Sequence, residues 1–131
     1  MTNFSYEIKG TREAVQAIRQ TARQLPRNIG KAVEVTSRRV KDTARALAAD
    51  TVSADGPARH YPSTISYEIT RTGLGGSVEG TIGPKKGLMQ AGLPLEVGTP
   101  YRGATPIMEP ALLQNRQDFL DGINKAVEDS L

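Results

Sequence analysis

From position 3 to position 9 apolar and polar residues alternate. Phe4, Tyr6 and Ile8 fall on one side, and Asn3, Ser5, Glu7 and Lys9 on the other. A period of two predicts a half-buried strand, which Gly10 ends. Thr11 then stands at an N-cap position, with Glu13 in the turn that follows. Val15, Ile18, Ala22 and Leu25 recur at helical spacing and predict a helix over 11–24. Pro26 lacks an N–H and disfavours helical backbone in the residue before it, so a break or kink is expected there. A longer helix follows over 27–50, with Ile29, Val33, Thr36, Val40 and Leu47 on one stripe and Ala44 filling the gap. Val33, Val40 and Leu47 are its expected core residues. Arg27, Lys31, Arg38, Arg39, Lys41 and Arg45 occupy its other faces, with Arg38 and Arg45 expected to be exposed.

Residues 51–63 have loop composition, with Gly56-Pro57 and Tyr61-Pro62 as breakers. Ile65, Tyr67 and Ile69 alternate with polar residues. After Gly73-Leu74-Gly75-Gly76, so do Val78, Gly80 and Ile82. That pattern predicts an antiparallel hairpin with a loose connection. Residues 84–106 are rich in Gly and Pro and predict a long loop, with a short extended piece at Leu95-Glu96-Val97. Pro110, at the first helical position, opens a last helix whose apolar face holds Leu112, Phe119, Ile123 and Val127. The whole chain, 1–131, reads as a single α+β domain. A long N-terminal helix, kinked near Pro26, and a C-terminal helix pack on one face of a small antiparallel β-sheet.

Composition narrows the chemistry. The 131 residues fit one domain, and their hydrophobic share of 37% with only four Tyr, two Phe and no Trp makes a thin core. A thin core suggests that neighbouring subunits supply part of the stability. Without cysteine there is no disulfide, thiolate metal site or Cys nucleophile. One histidine, His60, excludes a multi-His metal centre within one chain. No apolar run is long enough to cross a bilayer, and the first residues show no secretory signal, so a soluble protein made in the cytoplasm is expected. Net charge is +3, but residues 1–60 carry +5 and residues 61–131 carry −2. Opposite-sign halves suit nucleic-acid contact, head-to-tail packing of identical subunits, or simply a solvated basic helix face.

The search for catalytic constellations comes up short. His60 sits in an Ala-Arg-His-Tyr-Pro loop with no nucleophile motif beside it. The stretch Gly80–Lys86 lacks the spacing of a phosphate loop, and Pro84 removes a donor such a loop needs. Glu68 and Glu79 are expected to face each other across the hairpin on its polar side, where exposure leaves their pKa values together. Asp118 and Asp121 are one turn apart on a solvated helix face. No enzyme, cofactor or metal is expected. Arg38, Arg39, Lys41 and Arg45 are the residues expected to face DNA if any do. No aromatic residue lies among them to stack on bases.

The segment Glu96-Val97-Gly98-Thr99, followed after a short loop by Thr105-Pro106-Ile107-Met108-Glu109-Pro110-Ala111-Leu112, resembles the end of the HK97 gp10-like family of tailed-phage proteins. The upstream order of strand, basic long helix, loop and hairpin is also similar. The resemblance implies a structural virion protein of a long-tailed phage. Its role would be a neck, tail-completion or tail-terminator ring that joins head to tail around the DNA passage and is assembled in the host cytoplasm. It implies a homo-oligomer, a hexamer favoured over a dodecamer, contacting head-completion or connector proteins and tail-tube or terminator proteins. Glu96, Val97, Gly98, Thr99, Tyr101, Arg102, Ile107 and Met108 are the expected subunit or partner contacts, with Val97, Tyr101, Ile107 and Met108 expected to be exposed. The alternative is a non-specific nucleic-acid-binding module using the basic helix 27–50.

Overall fold

A computed structural model describes residues 11–71, 77–88, 92–100 and 103–131. The strand expected over 3–9 lies outside the described residues, as do Tyr101 and Arg102. The described chain runs α1 (Thr11–Thr51), α2 (Tyr61–Thr64), β1 (Ile65–Arg71), β2 (Val78–Pro84), α3 (Leu93–Val97), α4 (Met108–Gln114) and α5 (Arg116–Ser130). The class is α+β, with a long N-terminal helix, a two-stranded antiparallel sheet and C-terminal helices.

The two helices expected on either side of Pro26 are one. α1 is 41 residues long and passes through Pro26 without a break. A proline inside a helix removes one backbone bond and leaves the carbonyl four residues back without its partner. Here both Pro26 and Ala22 are exposed, so water can satisfy that carbonyl. Continuity also brings the stripe of residues 15–25 into line with the stripe of the later turns.

The core lies along the second half of α1. Val40, Ala44 and Ala48 are buried, together with Tyr61 of α2, Ile65 of β1, Ile107 before α4 and Ala111 within it. Val33 is buried as expected, but Leu47 is only partly covered and Ala48 takes the central place. Small alanines at these turns let the neighbouring backbones approach α1 closely. The sheet packs on one side of α1. Ile65, Tyr67 and Ile69 pair with Pro84, Ile82 and Gly80, so these residues share the helix-facing side of the pleat. Gly80 meets α1 so closely that a Cβ there would collide with the Ser37 hydroxyl.

α5 packs on the opposite side of α1 and runs antiparallel to it. Asn115 Nδ2 donates to Thr43 Oγ1 at 3.0 Å near one end, and Asn28 Nδ2 donates to Ser130 Oγ at 2.9 Å near the other. The single C-terminal helix of the sequence reading is therefore two helices. Asn115, almost fully buried, bonds sideways to Thr43 and back to the Ala111 carbonyl at 2.8 Å, and the chain turns there. α4 begins at Met108, so Pro110 is its third residue, still within the first turn, where no amide donor is needed.

The expected extended piece at 95–97 is a helix. Pro94 occupies its first turn, and the amides of Leu95 and Glu96 both reach the Gly92 carbonyl at 3.0 Å. Gly98, at φ 80°, then ends it in a backbone region that favours glycine.

Candidate functional site

Glu96, one of the expected contact residues, makes three hydrogen bonds within the chain. Its Oε1 accepts from the Tyr61 hydroxyl at 2.6 Å. Its Oε2 accepts from the amides of Ile107 and Met108 at 3.0 and 3.4 Å. The carboxylate thus ties α2 and α3 to the start of α4, and it places negative charge at a helix N-terminus. Tyr61, buried and bonded to this carboxylate, has its hydroxyl pKa raised above the usual tyrosine range, first by burial and then by Glu96. Gly92 lies flush on the Tyr61 ring, where a Cβ would overlap it.

The same clasp corrects the expected exposure of this segment. Ile107 is buried in the core and Met108 packs partly against it. Of the four apolar residues expected on the surface, Val97 is exposed, at 67%. Gly98 is half-buried and Thr99 exposed.

The four basic residues expected to face DNA divide between two sides of α1, and each has a partner within the chain. On the sheet side, Arg45 Nε donates to the Ile65 carbonyl at 2.8 Å and is half-buried rather than exposed. Lys41 pairs with Asp42 at 3.2 Å and lies 5.6 Å from the centre of the Tyr67 ring. Arg38 is exposed and pairs with Glu34 at 3.4 Å, and its pKa is raised, chiefly by the neighbouring Tyr67 hydroxyl. On the α5 side, Arg39 pairs with Asp118 at 3.7 Å.

A different basic row emerges from the continuity of α1. Arg19, Arg23, Arg27 and Lys31 are spaced four apart and are all exposed. Among the described residues none of them forms an ion pair. Like charges at this spacing repel by a few tenths of a kcal/mol per pair, so the row favours a partner that brings negative charge. The spacing is visible in the sequence, but a break at Pro26 would have divided it between two helices.

The remaining expected groups are dispersed. Glu68 lies opposite Thr81 and Glu79 opposite Thr70, so the two carboxylates are diagonal rather than facing, and both are exposed. Asp121 accepts from Gln117 at 2.9 Å. His60 is exposed at the start of α2. Among the described residues no cluster of three or more His, Cys, Asp or Glu is placed to hold a metal. No described helix is long and apolar enough to cross a membrane.

Two surfaces that sequence reasoning did not single out are conspicuous. First, a groove of about 530 Å³ runs between β2 and the α4–α5 corner, with α1 as its floor. Val33, Val40, Val78, Leu112, Leu113 and Phe119 make it almost wholly apolar, and Leu112 and Leu113 are 56% and 57% exposed. Second, Arg12 to Gln20 are exposed throughout, and Leu131, which lies beside Ala17 and Ile18, leaves this end of α1 largely open. Ile18 on its apolar stripe is 68% exposed. Comparisons with family models, with curated proteins and with solved structures find no match to this chain.

Proposed function

We propose that this chain is a structural assembly protein of a long-tailed phage virion, forming a homo-oligomeric ring at the head–tail junction in a neck, tail-completion or tail-terminator role. The resemblance of residues 95–112 supplies the class of assembly. The observation that carries self-association is the uncovered apolar surface, made of the groove beside β2 and the stripe of Val15 and Ile18 on the first turns of α1. Exposed apolar surface of this kind is costly on a lone subunit and useful at a contact. One subunit offers two unlike surfaces, a projecting helix and a groove. Unlike surfaces meet head to tail, and head-to-tail contacts close into a ring where the rotation between neighbours completes a circle. The segment 96–110 belongs to this assembly surface through Val97 and Thr99, both exposed, while Glu96 and Ile107 hold it in shape.

Light scattering after size exclusion tests the reading. A mass that is a multiple of one chain, with closed rings seen by electron microscopy, is the expected result. A single chain at every concentration overturns it.

The row Arg19–Lys31 favours a second reading, in which the protein binds nucleic acid without sequence preference. Under the assembly reading, duplex DNA is bound no more tightly than about 10⁻⁵ M at physiological salt. A nanomolar constant, weakened steeply by charge reversal at Arg23 and Arg27, moves the assignment to the second reading.

A further inference from the structure

We infer that the apolar groove beside β2 is the seat of residues 3–9 from a second copy of this chain, added as a third strand to the sheet. The inference rests on the self-association proposed above and names its contact.

The groove has the shape of a missing strand. Among the described residues the sheet holds β1 and β2 alone, so no described strand pairs with the other edge of β2, and that edge borders the groove. An edge of this kind is a template for another strand. Val78, Gly80 and Ile82 face α1, whereas Glu79 and Thr81 are exposed. A strand continuing this sheet would need apolar residues at every second position toward α1, Leu112 and Leu113. It would need polar residues between them, facing water. Residues 3–9 have that alternation: Phe4, Tyr6 and Ile8 against Asn3, Ser5, Glu7 and Lys9. Three large side chains would fill an apolar groove that its own described chain leaves open.

The reach of the chain decides which copy supplies the strand. Val33 marks the end of the groove nearer to Thr11, and 22 residues of helix separate them. At about 1.5 Å per residue that is about 33 Å. A proline kink of about 30° at Pro26 would shorten it by only about 1 Å. Phe4 precedes Thr11 by seven residues. Fully extended, those residues span at most about 25 Å. Phe4, Tyr6 and Ile8 therefore all fall short of the groove of their own chain. The segment is joined to the end of α1 farther from the groove, so the groove within its reach is that of a neighbour. Each copy gives one strand and receives one, the head-to-tail relation that a ring requires.

These 131 residues contain no cysteine, so an introduced pair reports without background. The 131-residue chain carrying Tyr6→Cys and Leu113→Cys is treated with a short bis-maleimide linker, which spans adjacent strand registers. The expected product on a denaturing gel is a ladder of covalent multimers. A mixture of the two single variants gives only a covalent dimer. Tyr6→Cys paired with Asp50→Cys, an exposed position away from the groove, gives no ladder. Phe4→Asp with Tyr6→Asp abolishes assembly while far-UV circular dichroism is retained. If light scattering shows an intact oligomer but the Tyr6–Leu113 pair links within one chain, fails to link, or links no better than the Asp50 control, the strand contact is wrong and the assembly reading stands. If the wild type is a single chain throughout, both fall.

Discussion

Replacing Glu96 by alanine removes three hydrogen bonds at one stroke. Those from the Tyr61 hydroxyl at 2.6 Å and the Ile107 amide at 3.0 Å are well formed, and that from Met108 at 3.4 Å is weak. A hydrogen bond to a charged group contributes about 1.5–3 kcal/mol net. Leaving a buried donor without a partner costs about 1–3 kcal/mol. Tyr61 is only 1% exposed, so bulk solvent does not reach it to replace the lost acceptor, whereas Glu96 is half-buried, which lowers the loss on its side. The expected destabilisation is about 3 kcal/mol, which at this chain length lowers Tm by roughly 10 °C. Glu96→Gln keeps one acceptor oxygen and should lose about half as much. Tyr61→Phe removes the hydroxyl but leaves both amides bonded, so the cycle with Glu96→Ala should show a coupling of about 1–2 kcal/mol. Thermal unfolding followed by far-UV circular dichroism at one fixed protein concentration measures all three. A Tm for Glu96→Ala within about 2 °C of the parent, or no coupling with Tyr61, refutes the clasp.

Further predictions concern the core, the basic residues and pH. Val40→Ala should cost roughly 1–3 kcal/mol in urea unfolding, because Val40 is 1% exposed and a cavity would remain. Gly80→Ala should destabilise by about 1–3 kcal/mol through collision with Ser37, and the added change Ser37→Ala should recover part of that loss. Arg45→Met should lower stability by about 1–2 kcal/mol through loss of the bond to the Ile65 carbonyl, and should leave any weak DNA binding unchanged. The pKa of Tyr61 is raised in the folded chain, so the folded state holds a proton that the unfolded state releases. Stability from this group is complete below the unfolded value near pH 10 and falls above it, by about 1 kcal/mol between about pH 10 and 11. Tyr61→Phe should flatten that alkaline loss, as urea unfolding at several pH values would show.

Periodicity along the chain was enough to mark the long helical stretch, the hairpin and the C-terminal helical segment. The stripe through Val33, Val40 and Ala44 is the buried face of α1, and the alternation at 65–69 and 78–82 is the hairpin, because both patterns express how one face of a helix or strand meets apolar neighbours. The class α+β follows from their order. Pro26 was misleading because a local penalty of about 3 kcal/mol is outweighed by strong helical sequence on both sides, with water available to the freed carbonyl. Leu95–Val97 looked extended by composition, yet Pro94 and the Gly92 carbonyl start a helical turn there. The Glu-x-Gly-Thr run suggested a surface contact, whereas the Glu96 carboxylate is engaged within the chain. Only the folded chain brings Tyr61 and the Ile107 amide to the Glu96 carboxylate, from 35 and 11 positions away in sequence. The pairing of Arg39 with Asp118 and of Arg45 with the Ile65 carbonyl is equally non-local, so a count of basic residues could not show which were already engaged. The groove beside β2 belongs wholly to the tertiary level. Its walls come from α1, β2, α4 and α5, and no stretch of sequence carries the signal of a gap between them.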